Sequence, residues 1–98
     1  MAAEQHIDPL ETARRTIVLE AGAIEGLANQ LTDDFARICK VILEAKGRVI
    51  VSGIGKSAVI AQKIVATLNS TGTPAVYLHA AEAIHGDLGM ILSHDVVI

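Results

Sequence analysis

Val49-Ile50-Val51-Ser52-Gly53-Ile54-Gly55-Lys56-Ser57 is the stretch on which the fold turns. Residues 48–52 hold three β-branched side chains in unbroken succession, a run that suits a strand buried on both faces. Two glycines then mark a tight turn, and residues 58–68 return to helical spacing through Ile60, Ile64, Val65 and Leu68. Residues 69–74 read as a loop and residues 75–79 as a second strand. Two strands joined by a crossover helix form a right-handed β-α-β unit with parallel strands, so the chain is α/β. Residues 80–85 predict a short helix or turn, and Asp95-Val96-Val97-Ile98 begins a third strand. A sheet that stops there leaves an apolar face and an edge uncovered, which predicts a fragment of a longer domain, truncated after its third strand.

Upstream, residues 1–46 read as a helical lead-in to a core at 47–98, all within one domain spanning 1–98. Asp8, Pro9 and Glu11 mark a helix start. Aspartate accepts orphan backbone N–H groups there, proline suits the first turn, and a carboxylate meets the positive helix end. Leu10, Ile17, Ile24 and Leu31 recur every seven residues, with Ala13, Ala21, Leu27 and Ala28 beside them and Arg14, Arg15, Glu11 and Glu25 largely opposite. Such a long amphipathic helix ahead of a sheet is expected to pack against another copy of the protein. Thr32, Asp33 and Asp34 look like the cap of a second helix that turns Phe35, Ile38, Cys39, Val41 and Ile42 inward and ends near Lys46 and Gly47. Cys39, the single cysteine, is then a buried thiol.

Composition excludes several classes of function. The 98 residues allow one small domain. Phe35 and Tyr77 are the only aromatics, too few for a base-stacking platform, and the eight basic residues form no run on a chain of net charge −3. Nucleic acid is therefore not an expected partner. The opening residues lack the basic start and apolar stretch of a secretory signal, and no apolar run approaches membrane-spanning length. The expectation is a cytoplasmic protein with no membrane partner.

Two constellations carry chemistry. In Ser52-Gly53-Ile54-Gly55-Lys56-Ser57, glycines let the backbone approach a ligand, and the helix start offers unpaired N–H groups and positive potential to an anion. Lys56 adds a mobile charge at the C-terminal end of a parallel strand, where ligands bind in such sheets. A nucleoside-triphosphate loop would need glycine at position 50, which is Ile50. The dinucleotide fingerprint is matched at Gly53, Gly55 and Ala58, but Tyr77, Leu78 and His79 stand where its acidic residue belongs, which disfavours a nicotinamide or flavin cofactor. Tight strand-to-helix turns also use glycine for steric reasons alone.

The second constellation, His79-Ala80-Ala81-Glu82-Ala83-Ile84-His85-Gly86-Asp87-Leu88-Gly89, crowds two imidazoles and two carboxylates behind the second strand, on the side expected to come near Lys56. His, Glu and Lys together can donate, accept and stabilise charge near neutral pH, as proton shuttling on a sugar carbon requires. The same residues also fit a strand-end cap, a surface histidine and a glutamate that holds a short helix. A metal site from His79, His85 and Asp87 lacks the close His spacing of zinc helices. His6 and His94 look incidental.

Taken together, Gly53-Ile54-Gly55-Lys56-Ser57, Ser70-Thr71-Gly72-Thr73-Pro74 and the segment from His79 to Met90 resemble the arabinose-5-phosphate isomerases of the sugar isomerase (SIS) domain superfamily, over nearly the whole chain. Members usually carry proline where Ala80 stands and a small residue near Val59; neither departure touches a charged group. The resemblance implies a doubly wound, flavodoxin-like parallel sheet in three α/β/α layers, assembled as a tetramer. It implies interconversion of D-arabinose 5-phosphate and D-ribulose 5-phosphate through an enediolate, without metal or organic cofactor, for lipopolysaccharide synthesis. Lys56 matches the family's active-site lysine and His85 its active-site histidine. His79 and Glu82 sit in the same motif and are expected, with Ser52, Gly53, Gly55 and Ser57, to bind the sugar phosphate. The family continues past the third strand with a serine-rich phosphate loop and further catalytic groups, so the isolated 98-residue chain is expected to be inactive. Rival readings are another sugar-phosphate isomerase, a non-catalytic sugar-phosphate sensor, and an inactive truncated copy.

Overall fold

The computed structural model describes residues 6–98. Residues 1–5, part of the segment whose composition lacks a secretory signal, lie outside the described residues. The chain divides into two compact units, Met1–Phe35 and Ala36–Ile98.

In the first unit, α1 (Pro9–Ala28) starts where the sequence places it: Asp8 accepts hydrogen bonds from the Leu10 and Glu11 N–H groups at 3.0 and 3.4 Å. The helix closes at Asn29, short of Leu31. Its apolar stripe, Leu10, Ile17, Ile24 and Leu27, is exposed. The second helix, α2 (Asp33–Glu44), begins with the Thr32 hydroxyl accepting from the Asp34 N–H at 3.3 Å and stops two residues before Lys46. Its predicted inward face is covered only in part. Ile42 packs on the core and Cys39 is half-buried, whereas Phe35, Ile38 and Val41 are exposed. The expected buried thiol is thus corrected to a half-buried one, because the described residues cover that helix face only around Ile42.

The core is the β-α-β unit. β1 (Val49–Gly53) and β2 (Ala75–His79) pair in parallel, and α3 (Lys56–Ser70) packs on both. Val49, Ile50 and Val51 are each 2% exposed or less, so the β-branched run is buried on both strand faces. Alternation sends Val49 and Val51 to one side, where they cluster with Ala61 and Ala75, with Val65, Leu68 and Tyr77 packed around them. Asn69 ties the end of α3 to the start of β2, its amide oxygen accepting from the Ala75 N–H at 2.8 Å and its amide nitrogen donating to the Ala75 carbonyl at 3.0 Å.

β3 (Val96–Val97) lies parallel on the other side of β1, giving the strand order β2-β1-β3. From β2 the chain passes through α4 (Ala80–Ile84) and a 3-10 helix (Asp87–Met90) before reaching β3. The crossover from β1 to β2 and the one from β2 past β1 to β3 step in opposite directions, and right-handed crossovers that do so run over opposite faces of the sheet, which makes the sheet doubly wound.

An ion pair fastens β3 at its start. Arg48 donates to Asp95 through its backbone N–H at 2.8 Å and its guanidinium Nη2 at 3.0 Å, and the same Nη2 donates to the Met90 carbonyl at 2.6 Å. Asp95 also accepts from the Leu92 N–H at 2.7 Å. Its side chain is 1% exposed. The hydrogen bond from the Arg48 side chain, followed by those from the Leu92 and Arg48 backbone, lowers the Asp95 carboxyl from 3.8 to about 2. A carboxyl held lower in the folded than in the unfolded chain stabilises the fold above its unfolded value. That contribution is lost as the pH falls from 3.8 towards 2. Asp95→Asn is therefore expected to lower the urea midpoint at neutral pH, and its deficit against the parent should shrink across that acid window. Urea titrations of both proteins at a series of pH values check this.

Candidate functional site

β1 ends in a turn that glycine alone can make. A Cβ on Gly53 would lie 2.9 Å from the Ser57 carbonyl carbon and 3.0 Å from its oxygen, so the strand end and the first turn of α3 touch backbone to backbone. Gly55 follows with φ +63° and occupies the N-cap of α3, where it offers no side chain to the helix. The Ala58 N–H donates to the Gly55 carbonyl at 3.1 Å, but the Lys56 and Ser57 N–H groups ahead of it receive no side-chain cap and remain available to a ligand. Lys56 and Ser57 belong to the first helical turn, two residues earlier than the periodicity of residues 58–68 implies. They add an ammonium and a hydroxyl to those N–H groups.

Beside this turn lies a cleft of about 310 Å³. Ser52, Lys56 and Ser57 line it near the start of α3, while Ile60, Ala61 and Ile64 line it further along the helix. Val51 of β1 and Ile98, which continues β3, complete the wall. Ile98 is held in place by exchanging backbone hydrogen bonds with β1, its N–H donating to Ile50 at 2.8 Å and its carbonyl accepting from Ser52 at 2.9 Å. The polar end of the cleft lies at the C-terminal end of β1, the strand that β2 and β3 flank on opposite sides, which is the switch point at which parallel α/β sheets bind ligands. Ile60, Ala61, Ile64 and Ile98 were not among the residues the sequence marks as chemical. Only the helical spacing of Ile60 and Ile64 hinted at a common face.

The second constellation stands at the neighbouring strand end. Gly53 pairs with His79, so the two turns leave adjacent strands about 4.8 Å apart. His79 is the N-cap of α4, its Nδ1 accepting from the Ala81 N–H at 3.1 Å, and His85 is the C-cap. Glu82 and His85 are exposed, and no hydrogen bond or ion pair among the described residues engages the Glu82 carboxylate. Asp87 begins the 3-10 helix after Gly86, whose φ of +122° excludes most side chains. The structure thus gathers Ser52, Lys56 and Ser57 around one cleft, with Gly53 and Gly55 shaping the turn. His79, Glu82 and His85 are together on α4 and its caps, and none of the three lines that cleft. Among the described residues, no group of His, Cys, Asp and Glu is arranged to hold a metal ion. No helix among them is long and apolar enough to cross a membrane.

Chemically, the cleft joins positive potential and hydroxyl donors to an apolar wall. It suits a small anion with a short carbon chain. Ser70-Thr71-Gly72-Thr73-Pro74 has a structural part instead: Thr71 caps α3 and Gly72, at φ +95°, turns the chain into β2.

Comparison with known proteins agrees with this fold. The SIS domain family matches residues 42–98. The chain is 49% identical over its whole length to arabinose 5-phosphate isomerase KdsD of Pseudomonas aeruginosa, spanning 30% of that protein. It is 54% identical over 91% of its length to arabinose 5-phosphate isomerase GutQ of Escherichia coli K12, spanning 28% of it. An E. coli CFT073 protein solved in complex with arabinose 5-phosphate superposes with a TM-score of 0.87 at 38% identity, over 96% of this chain and 50% of that one.

Proposed function

This chain belongs to the SIS-domain family, and on that footing we propose that the polypeptide carrying it is an isomerase interconverting D-arabinose 5-phosphate and D-ribulose 5-phosphate. The observation that carries the reading is the cleft at the switch point, where Ser52, Lys56 and Ser57 meet the uncapped start of α3. An aldose becomes a ketose when a base takes the proton from C2, an enediolate forms, and a proton is returned to C1. The oxygens exchange protons in the same steps. Lys56 stabilises the negative charge of the enediolate or grips the phosphate, and Ser52 and Ser57 donate to ligand oxygens. His85 assists ring opening or relays protons to O1 and O2, with His79 and Glu82 beside it on the same short helix. The carbon base is expected from the part of the family domain that follows the third strand.

This reading keeps residues 1–98 as the N-terminal portion of one domain, in a cytoplasmic homo-oligomer of tetrameric form that needs no cofactor. The relatives named arabinose 5-phosphate isomerase and the neighbour solved with arabinose 5-phosphate support the choice of sugar. The test is turnover of D-arabinose 5-phosphate by the natural polypeptide that contains residues 1–98. Ketose formation is expected. Binding of the sugar phosphate without turnover would favour a sensor instead.

A further inference from the structure

The ring of His79 has a job that the isomerase reading leaves unassigned. Its Nδ1 lies 3.1 Å from the Ala81 nitrogen and accepts that N–H. A ring nitrogen that accepts a backbone N–H carries a lone pair, so in the neutral ring the proton resides on Nε2. The ring is held edge-to-face against Tyr77, with centroids 6.2 Å apart and planes at 90°. Opposite His79 in the sheet stands Gly53, which has no side chain to compete for the space. Both chain direction and ring plane are therefore fixed where β2 becomes α4. That helix has a single turn, Ala80–Ile84, too short to hold its own axis without caps. Glu82 is its third residue and His85 its C-cap.

We propose that His79 is a positioning residue: as the Nδ1-acceptor tautomer it caps α4 and so aims Glu82 and His85, rather than contacting the sugar phosphate through Nδ1. The inference rests on the isomerase reading for its kinetic test and on the ring geometry for a second test that does not need turnover. Asparagine places an acceptor oxygen where Nδ1 stands and is among the best N-cap residues; glutamine places its amide nearer the Nε2 position.

In the natural polypeptide containing residues 1–98, His79→Asn is expected to keep kcat within about threefold of the parent. His79→Gln and His79→Ala should lose about tenfold or more in kcat, with KM nearly unchanged and the urea midpoint lowered only modestly, as the loss of one N-cap requires. Retention by His79→Gln with loss in His79→Asn would overturn the proposal and make the distal nitrogen the working group. Equal rates in all three would also overturn it. Separately, long-range proton–nitrogen NMR of the His79 ring should show the proton on Nε2. A proton on Nδ1 would sink the cap, whatever the enzyme turns over. A parent without turnover but with the expected tautomer would instead count against the isomerase reading alone.

Discussion

Lys56→Ala is expected to lower kcat for isomerisation of D-arabinose 5-phosphate by about 10²- to 10³-fold, the usual loss when one preorganised stabiliser of developing negative charge is removed. The fold should not notice. Lys56 is exposed in the first turn of α3, makes no ion pair among the described residues, and would be replaced by the residue that best tolerates a helix. The urea midpoint should accordingly stay within the range of an ordinary surface substitution, about 0.5 kcal/mol. His85→Ala, on the cap of α4, should cost about 10²- to 10⁴-fold if it relays protons. Steady-state kinetics on both variants, with urea titrations beside them, check the pair. Parent-like turnover in Lys56→Ala would remove the cleft from the chemistry.

The largest expected effect on stability comes from a glycine far from that cleft. Gly47 lies against the backbone that opens β3: a Cβ there would fall within contact distance of the His94 carbonyl oxygen, 2.5 Å from the His94 carbonyl carbon and 2.8 Å from the Asp95 nitrogen. Those atoms cannot step aside cheaply, because Asp95 is bound to Arg48 and Leu92 and Val96 is hydrogen-bonded to the Arg48 carbonyl at 2.9 Å. Gly47→Ala is therefore expected to destabilise the fold by about 1–3 kcal/mol, as overpacking against fixed atoms does. Gly89→Ala is the control, since an added Cβ there meets nothing within 4 Å. It should change stability by no more than about 0.5 kcal/mol. Equal midpoints for the two variants would mean that β3 yields at Gly47 without penalty.

What the sequence revealed, and what it hid, follows the range of the interactions. The β-branched run, the glycine turn and the second strand are local patterns, and β2 spans the residues read for it, 75–79. Asp8 could be read as a cap because the N–H groups it accepts from are two and three residues away. The clasp between Arg48 and Asp95 joins residues 47 apart, so neither residue carries any local sign of the other. Gly47 looked like a helix terminator for the same reason, its true constraint being a strand at the far end of the chain. The 3-10 helix has no periodicity to read in four residues. Phe35, Ile38 and Val41 mark an apolar face correctly, yet periodicity cannot say whether the chain itself provides the cover. For the site, glycine spacing and the resemblance singled out Lys56 and Ser57, but the apolar half of the cleft emerged only when β3 brought Ile98 to face α3.

The most direct measurement of the central claim is proton NMR of D-arabinose 5-phosphate incubated in D₂O with the natural polypeptide that carries residues 1–98. The expected result is D-ribulose 5-phosphate appearing together with solvent deuterium at the carbons that exchange a proton through the enediolate. A sugar phosphate that binds, yet neither isomerises nor takes up deuterium, would contradict the account.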